Sequence, residues 1–246
     1  MSITVTSNRR YIALFLLFSL LFCAILSLLI FVGGKTNERY ETADADAKPD
    51  GAPVVIIDAG HGGEDGGTIG KNGVYEKDIN LSIALLLRDM LAANGIETVL
   101  TRSEDILLYD KNSNYHGQKK IQDLATRRRI AESYENAVFV SIHMNAFPEE
   151  KYSGLQVYYS KNDETSKALA ENIQGLTKEK LMPANERKCK AADSNIYLLD
   201  RLDCPAVLVE CGFLSNPAEC ARLSDSEYQK QLALCLCAAV AGYLAE

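Results

Sequence analysis

VVIIDAGHGGEDGG, residues 54–67, is a short run of branched apolar side chains that breaks into a loop holding five glycines and one histidine. The run has strand length and composition, and every residue from Val54 to Ile57 is apolar. Such a run suits a strand covered on both faces, as parallel sheets require. Glycines at 60, 62, 63, 66 and 67 let the backbone turn sharply around His61 and leave room for a large substrate.

The same grammar continues downstream. Glu76 to Asn94 places Ile79, Ile83, Leu86, Leu87 and Met90 on one helical stripe, with Gly95 as terminator. Thr98–Thr101 predicts a strand, Ile121–Tyr134 a helix, Val138–Ile142 a strand and Leu155–Tyr159 another. Glu164–Leu181 reads as a helix that stops before Pro183, and Ala206–Glu210 as a further apolar strand. Ser224 and Glu227 have capping-box spacing and predict the start of a terminal helix reaching about Leu244. Apolar strands alternating with amphipathic helices predict an α/β fold, a mostly parallel sheet flanked by helices on both faces.

In such sheets, ligands sit beyond the C-terminal ends of the strands. His61 falls just past the first strand, Glu76 opens the helix that follows that strand and its loop, His143 follows Val138–Ile142, and Glu210 ends AVLVE. Two imidazoles and a carboxylate are the donor set of a catalytic zinc site, where a fourth position stays open for water. His61, Glu76 and His143 are therefore candidate Zn²⁺ ligands, and Glu210 is the candidate base. Only apolar and small residues follow Glu210, and a carboxylate in that company has a raised pKa, useful in a general base or acid. Each residue alone has a duller reading: a core histidine, or a first-turn charge at Glu76. Their convergence on one sheet edge carries the assignment. His116, in YDKNSNYHGQKK, reads as part of a surface loop. A phosphate cradle at the glycine loop fits poorly, because neither GK[ST] nor GxGxxG is present.

Residues 1–33 form a separate segment. Tyr11 to Val32 is uncharged and mostly apolar, follows Arg9 and Arg10, and is long enough to cross a bilayer as a helix. It is read as an N-terminal membrane-spanning anchor at residues 11–32, or as a signal segment. Either way the remainder is placed on the extracytoplasmic side. Residues 34–51 are acidic and without periodicity, a solvated linker, and 52–246 form the catalytic domain.

A net charge of −7 gives no electrostatic reason to expect nucleic acid. The Arg127–Arg128–Arg129 cluster reads as the solvated side of a helix. Of seven cysteines, Cys23 lies in the apolar run and six crowd toward the C-terminus. Cys211, Cys235 and Cys237 sit in apolar stretches as small buried hydrophobes. No CxxC…CxxC zinc pattern occurs.

With these residues in place, a specific resemblance appears. VVIIDAGHGGEDGG, EKDINLSIALLLRDML, TRSED, FVSIHMNA and AVLVECGFLSNPAE resemble, in order, the zinc-dependent N-acetylmuramoyl-L-alanine amidases of the amidase-3 type. The likeness spans essentially Val54 to Leu244. It implies a twisted, largely parallel sheet, Zn²⁺ on His61, Glu76 and His143, and Glu210 as the catalytic glutamate. The substrate it implies is peptidoglycan, cut between N-acetylmuramic acid and L-alanine. KYSGLQVYYS and NIYLLDRLDCPAVLVECGFLSNP look most like the spore-cortex amidases. That likeness implies a role in cortex maturation, with a separate deacetylase completing muramic-δ-lactam, and raises an activating protein partner. The competing readings are a zinc peptidase of stem peptides and a non-catalytic wall-binding protein.

Overall fold

The structure, a computed structural model, describes residues 51–110 and 118–245. The apolar run at 11–32, most of the acidic linker, Cys23 and His116 lie outside the described residues. Among the described residues, no helix is long and apolar enough to cross a membrane.

Six strands form one sheet. In chain order they are β1 (Val54–Ala59), β2 (Glu97–Leu100), β3 (Ala137–Asn145), β4 (Gln156–Tyr159), β5 (Lys190–Ala191) and β6 (Ala206–Phe213). Their spatial order is β2-β1-β3-β6-β4-β5. All neighbours run parallel except β4, which lies antiparallel to β6. The mostly parallel α/β sheet predicted from the alternation is therefore present.

Helices α1 (Glu76–Ala93), α3 (Ser166–Lys180) and α6 (Ser226–Leu244) cover one face. There Ile83, Leu87, Ile173, Leu232 and Leu236 pack on Val55, Ile57, Val140, Ile142 and Val209, all fully buried. Apolar surface removed from water stabilises by about 25 cal/mol per Å², and this layer holds the larger of the two apolar clusters. The opposite face carries α2 (Lys119–Glu132) and the short α4 (Tyr197–Arg201), with Ile56, Phe139, Ala131 and Leu199 between them. A last short helix, α5 (Pro217–Leu223), follows β6.

Several sequence expectations need correction. β3 and β6 extend past their apolar runs, so His143, expected just beyond its strand, lies within it, and Glu210, expected to end its strand, is followed by three more strand residues. Pairing between β3 and β6 continues through His143 and Glu210, and backbone hydrogen bonding holds polar residues in the ladder there. A turn at 214–216 leads into α5, where the Asn216 side chain accepts from the amides of Ala218 and Glu219. The capping box does not form. Asp225 is the cap of α6 and accepts from Tyr228 N, while Ser224 donates to the Cys220 carbonyl. Arg127 is not on a solvated face: it is 1% exposed, beneath the glycine loop. The six described cysteines are free thiols, and Cys211, Cys235 and Cys237 are buried as expected.

Candidate metal centre and catalytic rim

Residues of one register row meet at the C-terminal edge of the sheet. His143 pairs with Glu210 and Glu210 with Gln156, so β3, β6 and β4 present these side chains side by side, one residue beyond the Ala59–Ile142 pair. Directly opposed residues of neighbouring strands point to the same face. At the head of the row stands Gly60, where a Cβ would fall 2.2 Å from His143 Nε2. Glycine there is what lets the His143 ring lie against the β1 backbone.

His61 has φ 62, the one positive value among non-glycine described residues. That conformation is costly for a side chain with a Cβ, and persists where surroundings over-determine it. Here the surroundings are two buried guanidinium groups. Arg127 donates through Nη2 to the His61 carbonyl (2.6 Å) and through Nη1 to the Ala59 carbonyl (2.8 Å). Arg102 donates to the carbonyls of Ala59, Gly60, Lys77 and Glu104. Beneath them, Asp58 Oδ1 takes Arg127 Nη1 at 2.6 Å and Thr101 Oγ1 at 2.7 Å, and Oδ2 takes Ser141 Oγ at 2.6 Å. Burial would raise the Asp58 carboxyl, but Arg127 and these hydrogen bonds hold it at about 2.

Glu76 is the hub. Its Oε1 lies 3.0 Å from His143 Nδ1 and 3.2 Å from His61 Nε2, and accepts from Met144 N at 3.0 Å. Oε2 accepts from Thr68 N at 2.9 Å. Burial opposes ionisation of Glu76, yet hydrogen bonds and charge from the two imidazoles hold it well below the usual carboxylate range. On the far side of its ring, His61 Nδ1 lies 2.9 Å from Asp65, which also takes Lys120 of α2. Burial lowers the His61 pKa, but Asp65 and Glu76 raise it to about 9.

The donor set fits a zinc ion. One atom from each of His61, Glu76 and His143 lies within 4.8 Å of the others. Tetrahedral bonds of about 2.05 Å give ligand–ligand edges of about 3.3 Å. The 3.0 and 3.2 Å separations at Glu76 Oε1 are close to that edge. Gly67 completes the cradle, since a Cβ there would meet Glu76 Oε2 at 2.6 Å and the His61 ring at 2.8 Å.

Glu210 adjoins this cluster without joining it. Its Oε2 is buried and has no hydrogen-bond partner among the described residues. Burial and the charge of Glu76 push its carboxyl up to about 7, with His143 and His61 pulling the other way. It is thus a carboxyl able to hold or release a proton near neutrality, as acid–base catalysis requires.

All four residues singled out in the sequence come together here. The support beneath them was not legible in the sequence: Asp58, Asp65, Arg102, Arg127, and Asp123, which accepts from Arg127 Nε at 2.9 Å. One signal was available, since a lone aspartate inside an apolar strand demands a buried partner.

A mostly parallel α/β sheet whose C-terminal rim gathers two imidazoles beside two carboxylates is the frame of a hydrolase. Residues 55–242 match the N-acetylmuramoyl-L-alanine amidase family, and the chain belongs to that family of peptidoglycan amidases. The germination-specific N-acetylmuramoyl-L-alanine amidase of Bacillus subtilis (strain 168) is 34% identical over 214 residues, 85% of this chain and 89% of the relative. Among solved structures, the CwlD amidase of Clostridioides difficile in complex with the GerS lipoprotein is 41% identical. It superposes with a TM-score of 0.75, covering 78% of this chain and 98% of that one. The amidase AmiC2 of Nostoc punctiforme is 30% identical, with a TM-score of 0.68 over 80% of this chain and 99% of its own.

Proposed function

We propose that this amidase is zinc-dependent, with His61, Glu76 and His143 as ligands and Glu210 as the proton-transfer residue. The observation that carries this is the register pair His143–Glu210, which sets an unpartnered carboxylate oxygen beside three clustered donor atoms. Zinc bound there supplies Lewis acidity to the scissile carbonyl and acidifies water.

The protein's own residues account for the rest. Glu210 Oε2 takes a proton from the attacking water and returns it to the amide nitrogen of L-alanine as the bond to muramic acid breaks. Asp65 holds the His61 ring through Nδ1, leaving Nε2 to face the site. Arg102 and Arg127 fix the backbone from Ala59 to His61, so the ligands are aligned before substrate arrives.

The similarity to a germination-specific amidase and to CwlD supports action in the spore cortex, producing the muramic acid from which a separate deacetylase makes muramic-δ-lactam. The GerS complex of CwlD supports a protein partner here as well. The apolar run at 11–32 supports a membrane-anchored or exported chain, organised as 1–33 anchor or signal, 34–51 linker and 52–246 catalytic domain.

Digestion of purified sacculi with and without chelator, read by mass spectrometry, tests the reading. Muramic acid freed of L-alanine, and no such product after chelation, is expected. Cuts only between stem-peptide residues would instead identify a peptidase, and zinc-loaded protein with no turnover would leave a wall-binding role.

A further inference from the structure

The register row that carries His143 and Glu210 does not end at Glu210. Gln156 of β4 stands directly opposite Glu210, and its side chain is buried. Gln156 Oε1 accepts from Arg187 Nη1 at 3.2 Å, and its Nε2 donates to the Lys188 carbonyl at 2.8 Å. Arg187 is thus one side chain removed from the candidate catalytic glutamate, on the side away from His61.

The placement of this guanidinium is costly to arrange and unlike that of an ordinary surface arginine. It lies 4.4 Å from the ring centroid of Phe213, the last residue of β6, and 6.0 Å from that of Tyr152. Its Nε donates to the Ser153 carbonyl at 2.7 Å. Stacking and two hydrogen bonds to neutral acceptors fix the plane of the group. No carboxylate among the described residues forms an ion pair with it.

Arg187 also lines a cleft of about 500 Å³ that includes Lys151 and Arg222. The two acidic residues on that cleft are engaged by other groups, Glu219 in part by Arg222 of the same cleft at 3.5 Å. Glu219 accepts from the amides of Gly154 and Phe213, and Glu186 pairs with Lys178 at 3.3 Å. A pre-oriented guanidinium with no ion-pair partner among the described residues, on a cleft it shares with Lys151, is a fork for a planar anion.

We infer that Arg187 reads a carboxylate of the stem peptide, so that the peptide leaves the scissile amide along β4 while the glycan lies toward the glycine loop. The inference rests on the amidase reading, because the row it extends is that reading's catalytic row. The substrate chemistry agrees: the stem peptide bears free carboxylates within a few bonds of L-alanine, and the glycan backbone does not.

The test is calorimetric titration of the zinc-loaded protein with two synthetic stem peptides. One carries a free α-carboxylate on the residue after L-alanine, and the other carries the carboxamide there. The wild-type protein is expected to bind the carboxylate peptide about 10- to 100-fold more tightly, the range of one charge-assisted hydrogen bond. R187A should erase that preference, leaving the two peptides with similar affinities, and R187K should retain part of it. Because preference is a ratio on one protein, a folding defect lowers both affinities and is told apart; if R187A does not fold, a reduced ratio in R187K carries the test. Equal affinities in the wild type, or an unchanged ratio in the variants, would overturn the inference. Turnover of sacculi is scored separately. An inactive wild type that keeps the Arg187-dependent preference counts against the amidase reading alone, and an active one without preference counts against Arg187 alone.

Discussion

His143 and Glu210 are direct cross-strand partners in the parallel pair β3–β6, on the face of the sheet that also carries Asp58 and Ser141. This one register relation joins the candidate metal ligands to the candidate proton carrier. A slip of one residue in either strand would turn its side chain to the other face. Glu210→Gln should therefore keep the shape of the row and the metal while removing the titratable oxygen. Activity on muropeptides should fall by about 10² to 10⁴, with zinc content by elemental analysis unchanged. Wild-type turnover in that variant would end Glu210's assigned role.

Gly60 and Gly242 make a matched pair of alanine substitutions. A Cβ at Gly60 meets the His143 ring, whereas at Gly242, in α6, nothing lies within 4 Å. G60A is expected to displace His143 and weaken zinc retention in a chelator competition. G242A should leave zinc binding alone and raise thermal stability by up to about 1 kcal/mol, the helix-propensity difference.

Asp65 touches His61 Nδ1, on the ring edge away from Glu76. Such outer partners orient a ligating imidazole, and their loss commonly costs about 10- to 100-fold in metal affinity. Asp65→Asn should show that loss in a direct zinc titration with the fold intact by circular dichroism. An unchanged affinity would mean that the glycine loop alone aims the ring.

The Asp58–Arg127 pair sets a pH dependence of stability. Asp58 is held at about 2, against an ordinary 3.8, so the folded state favours its ionised form. The corresponding stabilisation is complete above about pH 4 and is lost as pH falls from there toward 2, because the unfolded chain takes up the proton first. Denaturant midpoints between pH 6 and 2 should fall through that window. In Asp58→Asn this contribution to the fall should be missing. Arg127→Met, which strands the buried carboxylate, should cost about 3–5 kcal/mol at neutral pH.

How far the sequence could be read follows from how each interaction is encoded. VVIIDA, the stripe from Ile79 to Met90 and AVLVE are local patterns of period or composition, and they led to the right element types. The ends of β3 and β6 were misjudged because pairing with each other keeps His143, Asn145 and Phe213 in the ladder whatever their side-chain type. Arg127 shows the same limit more sharply. Three consecutive arginines look like solvent-facing charge, yet one of them finds Asp58, 69 residues away, and the carbonyl of His61.

By itself, the sequence determined the alternation of strands and helices, the glycine loop, and the four candidate site residues. Each rests on side-chain type and short-range spacing, which the chain carries locally. Only the tertiary structure decided that Glu76 Oε1 sits between the two imidazoles, that Glu210 faces His143, and that a buried arginine braces the loop. Those outcomes depend on strand register and on the pairing of charges withdrawn from water. Such pairings exist only once distant segments have packed together.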